Sequence, residues 1–177
     1  MIKHKPLPPL DELKRHLYLD ATSPSGLRWL VPFSSKLKSG DIAGALTGNH
    51  GYWAVRFKYK RYYSHRLIVY IKTGEDPLNK CVDHVSSIKN NLHVRPATTA
   101  QNHANRKKIV DSKNQKTSSI YKGVYWEKKS QKWRAQIKSK GITRALGAFR
   151  SEAVAALAYN EAARKEWGEY ARLNAIE

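Results

Sequence analysis

A single cysteine, Cys81, and a single methionine occur in this chain of 177 residues. One thiol excludes an internal disulfide and any zinc site built on several cysteines. Cys81 adjoins Val82 in a short apolar stretch, where a thiol packs as a small hydrophobe rather than acting as a nucleophile. No apolar run approaches the length of a bilayer span, so an integral membrane protein is not expected. The first ten residues, broken by Pro6, Pro8 and Pro9, do not have the form of a secretory signal, and an intracellular protein is the expectation. Acidic residues are also scarce. Fourteen Asp and Glu face thirty-three Lys and Arg, giving a formal charge of +19. Such an excess repels itself in the compact state unless a polyanion offsets it, so nucleic acid or an anionic membrane surface is the expected partner.

What is present argues for folded modules. Five Trp and ten Tyr, within a hydrophobic fraction of 41%, supply enough apolar surface to exclude a disordered chain. The length suits one domain or two small ones. The segment Lys107-Lys108-Ile109-Val110-Asp111-Ser112-Lys113-Asn114-Gln115-Lys116-Thr117 is polar and lacks periodicity. It reads as a linker, placed at 111–117, between a first domain at 1–110 and a second at 118–177.

In the first part, residues 10–17 suit a short helix and Ser23-Pro24-Ser25-Gly26 a turn. Residues 51–59 alternate cleanly, with Trp53, Val55, Phe57 and Tyr59 on one face and Ala54, Arg56, Lys58 and Lys60 on the other. That pattern is a half-buried strand with a basic outer face. Residues 65–71 form an apolar run that fits strand or helix, ended by Thr73-Gly74-Glu75-Asp76-Pro77. A short strand at 81–85 follows, Val94-Arg95-Pro96 leaves the hairpin, and Thr98 or Thr99 caps a helix over 101–107.

The second part reads as two strands, at 123–126 and 132–138, around a polar turn, then a third at 144–149. Trp133, Ala135 and Ile137 face the core; Lys132, Arg134, Gln136 and Lys138 face away. Ser151 caps a helix that Gly168 ends, and Ala155, Tyr159, Ala162 and Ala163 form its stripe of mostly small residues. The expectation is three strands backed by one helix.

The chemistry-bearing residues are Val82-Asp83-His84 and, eighteen positions after His84, Asn102 within Gln101-Asn102-His103-Ala104-Asn105-Arg106-Lys107. Asp83 and Asn102 offer oxygen donors, which suit Mg²⁺ or a similar hard cation that keeps several waters and also takes phosphate oxygens. His84 beside them is a candidate general base for an attacking water. An ordinary hydrogen-bonded Asp-His pair accounts for the same dipeptide. His65 reads as a fourth site residue or a packed histidine, His103 as a phosphate contact or bystander, and Arg106 with Lys107 as a backbone clamp or a solvated charge run.

The motifs Val82-Asp83-His84, Arg95-Pro96-Ala97-Thr98 and Gln101-Asn102, with His65-Arg66-Leu67 and Gly74-Glu75-Asp76-Pro77 upstream, resemble the phage- and intron-type HNH endonucleases over most of residues 10–107. The resemblance implies a ββα-metal nuclease domain, His84 as general base, and Asp83 with Asn102 as ligands of Mg²⁺ or another divalent cation such as Mn²⁺. It also implies the cytoplasm of a bacterial host for a phage-encoded chain. The chain departs from the family in the stretch Val85-Ser86-Ser87-Ile88-Lys89-Asn90-Asn91, which is a few residues shorter. Counting back from Asn102 then places His93 at the central position, whereas reading by type selects Asn91; the spacing argument favours His93 as the second catalytic residue.

In the second part, Tyr121-Lys122-Gly123-Val124, Lys132-Trp133-Arg134-Ala135-Gln136-Ile137, Leu146-Gly147-Ala148-Phe149 and Ala155-Ala156-Leu157-Ala158-Tyr159-Asn160-Glu161-Ala162-Ala163 resemble the Apetala-type (ethylene-response-factor) DNA-binding domain. The resemblance implies that the sheet face opposite the helix enters the major groove through Lys122, Tyr125, Lys128, Arg134, Gln136, Lys138 and Arg144. Arg reads guanine edges and Gln adenine, while Lys meets mostly phosphate. The fold expected is therefore α+β, an HNH ββα-metal domain followed by a three-stranded antiparallel sheet on one helix. The function expected is that of a homing-type DNA endonuclease acting on double-stranded DNA, with no membrane role and an oligomeric state that the sequence leaves open. A non-catalytic DNA-binding protein with a decayed HNH site is the alternative. RNA binding is more distant, because the sheet face is rich in Lys but poor in exposed stacking aromatics.

Overall fold

A computed structural model describes residues 5–47, 51–78, 80–85, 91–108, 110 and 117–176. The chain is a mixed α+β protein, with several small antiparallel sheets and four α-helices among the described residues. It divides into two compact units, Met1–Thr98 and Thr99–Glu177. Of the linker expected at 111–117, only Thr117 lies within the described residues, and the stretch 86–90 after His84 lies outside them.

The first unit begins with α1, Leu10–His16. Asp11 and Glu12 stand in its first turn and Lys14, Arg15 and His16 in its last, each sign complementing the helix dipole. The hairpin of β1, Leu17–Leu19, and β2, Leu27–Trp29, follows. Then come β3, Ala45–Thr47, β4, Tyr52–Phe57, and β5, Lys60–Tyr63, forming an antiparallel sheet in the order β3-β4-β5. The ambiguous apolar run is a helix, α2, Ser64–Thr73. Gly74 ends it at φ 77°, its N–H returning to the Tyr70 carbonyl, a left-handed cap that a residue with a Cβ adopts only at a cost. The core gathers Leu13, Leu17, Leu27, Trp29, Val55, Phe57, Leu67 and Ile68. Burying a side chain the size of Phe57 contributes roughly 1.5–3 kcal/mol. Arg66, also buried, is neutralised by Asp76 at 2.9 Å, and Asp76 in turn accepts the Leu7 N–H.

The unit closes with a second hairpin, β6, Cys81–His84, against β7, Val94–Ala97, where the sequence suggested only a chain leaving the hairpin. Pro96 is tolerated there because β6 and β7 make up a two-stranded sheet, so β7 has a free edge.

The second unit starts with α3, Thr99–Ala104, shorter than the helix expected over 101–107. Its sheet runs in the order β10-β9-β8, from β8, Val124–Glu127, β9, Lys132–Ser139, and β10, Ile142–Phe149. The helix α4, Glu152–Trp167, lies on it through Ala155, Ala156, Tyr159, Ala162 and Ala163. Small residues bring the helix close, and Gly123 shows how close. At φ 77° it has no room for a side chain, since a Cβ would lie 2.0 Å from the Tyr159 ring and 2.7 Å from the Gln136 carbonyl oxygen. The terminal segment returns across the unit. Asn174 exchanges hydrogen bonds with the buried Asn160 of α4 and with the backbone of Lys122. Among the described residues, no helix is long and apolar enough to cross a membrane.

Candidate active site

Alternation along β6 sends Asp83 and His84 to opposite faces of its hairpin. Asp83 is buried at 2% exposure, and its carboxylate accepts the Arg95 Nε–H at 3.1 Å. The two residues are register partners across β6 and β7, so the hairpin itself holds the ion pair together. Among the described residues, no group of three or more His, Cys, Asp or Glu could hold a metal. A hard cation taking one carboxylate and one carboxamide, with water and phosphate for the rest, requires no such cluster. Asp83 and Asn102, each in its own unit, carry oxygen donors of the type such a cation takes.

His84 is half-buried within a set of rings. Its imidazole meets that of His65 edge-on at 5.6 Å and lies 6.3 Å from Tyr52. His65, in the first turn of α2, stacks on Tyr63 at 5.3 Å with planes 9° apart, and Tyr52 packs against both. The arrangement fixes the plane of the His84 imidazole by packing. Tyr52 entered the sequence reading only through the Gly51-Tyr52 strand, a looser part of the resemblance, and Tyr63 was not singled out. Period two was the available signal, because it sets Tyr52 on the face of Ala54 and Arg56.

The two candidates for the central position occupy different settings. Asn91 is 3% exposed, and its carboxamide donates to the Pro24 carbonyl at 3.3 Å, tying the end of the loop to the 23–26 turn. His93 is exposed. Its carbonyl accepts the Val85 N–H at 2.9 Å, which sets it opposite Val85 and on the Asp83 face, away from His84. The spacing argument that favoured His93 therefore leads to a residue on the Asp83 face of the hairpin, the face opposite that of His84.

Asn102 lies on α3, half-buried, in the second unit, and Arg106 and Lys107 follow that helix exposed. Lys122 does not stand out from the sheet. Its ammonium donates to the carbonyls of His103, Ala104 and Arg106 and so caps the C-terminus of α3. Burial, with repulsion from Arg172, lowers its pKa to about 8. Lys108 turns in likewise, donating to the Tyr121 and Val124 carbonyls, and burial lowers its pKa against the attraction of Glu152.

On the sheet face away from α4, Tyr125 pairs with Arg134, and Gln136 and Lys138 continue the row along β9. Lys128 is exposed in the turn between β8 and β9. Both Nε and Nη2 of Arg134 donate to Glu127 Oε2, at 2.9 and 2.8 Å. Arg144 leaves the row. Pairing sets it directly opposite Ile137, on the face that carries α4, because the bulge between Ala145 and Gly147 comes only after it. Comparison of the chain with protein-family models, with curated proteins and with solved structures gave no match.

Proposed function

We propose that the protein is a metal-dependent, site-directed DNA endonuclease of the homing HNH type, its second unit binding duplex DNA. The observation that carries the reading is His84, held in plane by His65 and Tyr52 on the strand that also bears the buried Asp83. His84 takes the proton of a water attacking a backbone phosphate. Asp83 and Asn102 would hold a divalent cation of the Mg²⁺ type, which when bound neutralises charge on the phosphate and on the departing oxygen. The row of Tyr125, Arg134, Gln136 and Lys138, with Lys128 at its end, meets the DNA, the lysines at phosphate and Arg134 and Gln136 at base edges. Arg106 and Lys107 add backbone contacts, and the charge of +19 draws the two partners together.

The test is plasmid nicking with and without Mg²⁺. The wild type should nick only with the metal; His84→Ala should not nick at all while binding DNA within about twofold of wild type, since a base acts in chemistry and not in docking. Equal nicking by the variant would end the mechanism. One observation favours the alternative of a DNA-binding protein without catalysis: Arg95 already neutralises the Asp83 carboxylate. On that reading no metal changes the outcome and Asp83 serves the hairpin alone.

A further inference from the structure

Arg56 and Arg61 stand directly opposite each other across β4 and β5, and both are exposed. Like charges in that position destabilise a strand pair. Neither makes an ion pair among the described residues, so an anion between them would remove the repulsion. The hairpin tip beside them is strained as well. Lys58 and Tyr59 hold φ of 44° and 64°, in a turn that ordinarily takes Asn and Gly. Lys58 is held by Glu12, whereas Tyr59 is 91% exposed. Strain of this kind, kept at an exposed aromatic, points to use.

The pair borders a cavity of about 850 Å³, whose lining also takes in the apolar Trp29, Phe33, Leu37 and Ile42. That size lies within the range of small-molecule sites, about 300–1,000 Å³. The same sheet face leads on to His84. Tyr52, Ala54 and Arg56 share it by alternation, and pairing adds Arg61 and Tyr63. From Arg56 to Tyr52, in the ring set around His84, is about 13 Å along the strand.

We infer that this cavity binds one unpaired nucleotide of a DNA strand, its phosphate between Arg56 and Arg61 and its base against the apolar wall. A fully paired duplex would leave the apolar wall empty. An acidic peptide would satisfy the arginines, but a face that carries Arg56 and Arg61 together with Tyr52 and Tyr63 on so basic a chain matches a polyanion with flat bases. The inference rests on the nuclease reading only for the direction in which the strand continues.

The experiment uses the full chain carrying His84→Ala, without metal, so that cleavage plays no part. Its probes are a fluorescent duplex, the same duplex with one unpaired 2-aminopurine, and an acidic amphipathic peptide. The unpaired duplex should bind about tenfold more tightly than the paired one, with quenched 2-aminopurine emission, the size expected for one stacked base. The preference and the quenching should both vanish in Arg56→Gln/Arg61→Gln and in Ala45→Phe, which fills the cavity from an exposed position; binding of the paired duplex should stay unchanged in Ala45→Phe. No preference, a preference that survives both variants, or peptide binding lost in both while DNA binding is kept would each overturn the inference. A protein that shows the preference yet never nicks DNA would lose the nuclease reading and keep this one.

Discussion

Asp83 and Arg95 face each other across the β6–β7 hairpin and join their charges at 3.1 Å, the carboxylate side chain only 3% exposed. A carboxylate so placed has two suitors, the guanidinium it already has and the metal that the proposed chemistry requires. Removing the guanidinium separates them. Arg95→Met takes the guanidinium from a buried carboxylate, and the cost should be about 3–5 kcal/mol, read as a drop in urea unfolding free energy. Added Mg²⁺ should restore part of that loss in the variant and less in the wild type, because the guanidinium no longer competes for Asp83. A variant whose stability ignores Mg²⁺ would leave Asp83 a structural residue.

At the central position the expected pattern is the reverse of the spacing argument. Asn91→Ala removes the buried carboxamide that donates to the Pro24 carbonyl, and should cost roughly 1–3 kcal/mol with a matching fall in nicking. His93→Ala, at an exposed residue facing away from His84, should leave both stability and nicking within about twofold. Thermal unfolding and nicking rates on the two variants settle the point. A silent Asn91→Ala beside a dead His93→Ala would reinstate the count back from Asn102.

Much of this fold was written in local pattern. The strand around Val55 and Phe57, the β8–β9 hairpin around its polar turn, and α4 between Ser151 and Gly168 follow from periodicity and punctuation. Ser151 sits at the expected cap, although its hydroxyl makes no capping bond. The run at 65–71 was not decidable by pattern, since a short apolar stretch suits strand and helix alike; the ten-residue length and the left-handed Gly74 belong to the helix. The short strands β1, β2 and β3 left no signal, because three residues span less than two periods. Site residues divide the same way. Asp83 and His84 were legible as a dipeptide. The pairing of Asp83 with Arg95, the inward turn of Lys122 and the exit of Arg144 from its row depend on register and on a bulge, which are properties of the partner strand.

Lys122 provides a pH test. Its pKa is lowered to about 8 in the folded unit and returns to 10.5 in the unfolded chain. Above about pH 8 the unfolded state thus binds more protons than the folded one, so stability should rise with pH. Tyr159, whose pKa burial raises to about 12, acts in the opposite sense above about pH 10, where the unfolded tyrosine ionises first. The window to read is therefore pH 8 to 10. Urea unfolding across it should show a rising wild-type midpoint whose slope Lys122→Met reduces, Lys108 keeping a rise of the same sign. A slope unchanged in the variant would assign the proton elsewhere.

The last prediction concerns Arg134, whose guanidinium donates twice to Glu127. An arginine held in this way is pre-oriented for a base edge, but it must share its donors with the carboxylate. Hydrogen bonds from Ser130 and Arg134 lower the Glu127 pKa, so the pair persists to pH values below the ordinary carboxylate range and loosens only as stronger acid protonates Glu127. Glu127→Gln removes the charge and keeps the shape. It should tighten DNA binding to all sequences by about two- to tenfold, as one repulsive charge leaves the interface. Discrimination at the base read by Arg134 should fall, because the fork is no longer fixed. Arg134→Ala should relax preference at that same base, Gln136→Ala at a neighbouring one, and Lys138→Ala should weaken every sequence alike with a shallower salt dependence. Binding to a randomised duplex library reads all four variants at once. If Arg134→Ala and Lys138→Ala weaken binding equally at every position, the sheet face holds DNA without reading it, and specificity lies elsewhere in the chain.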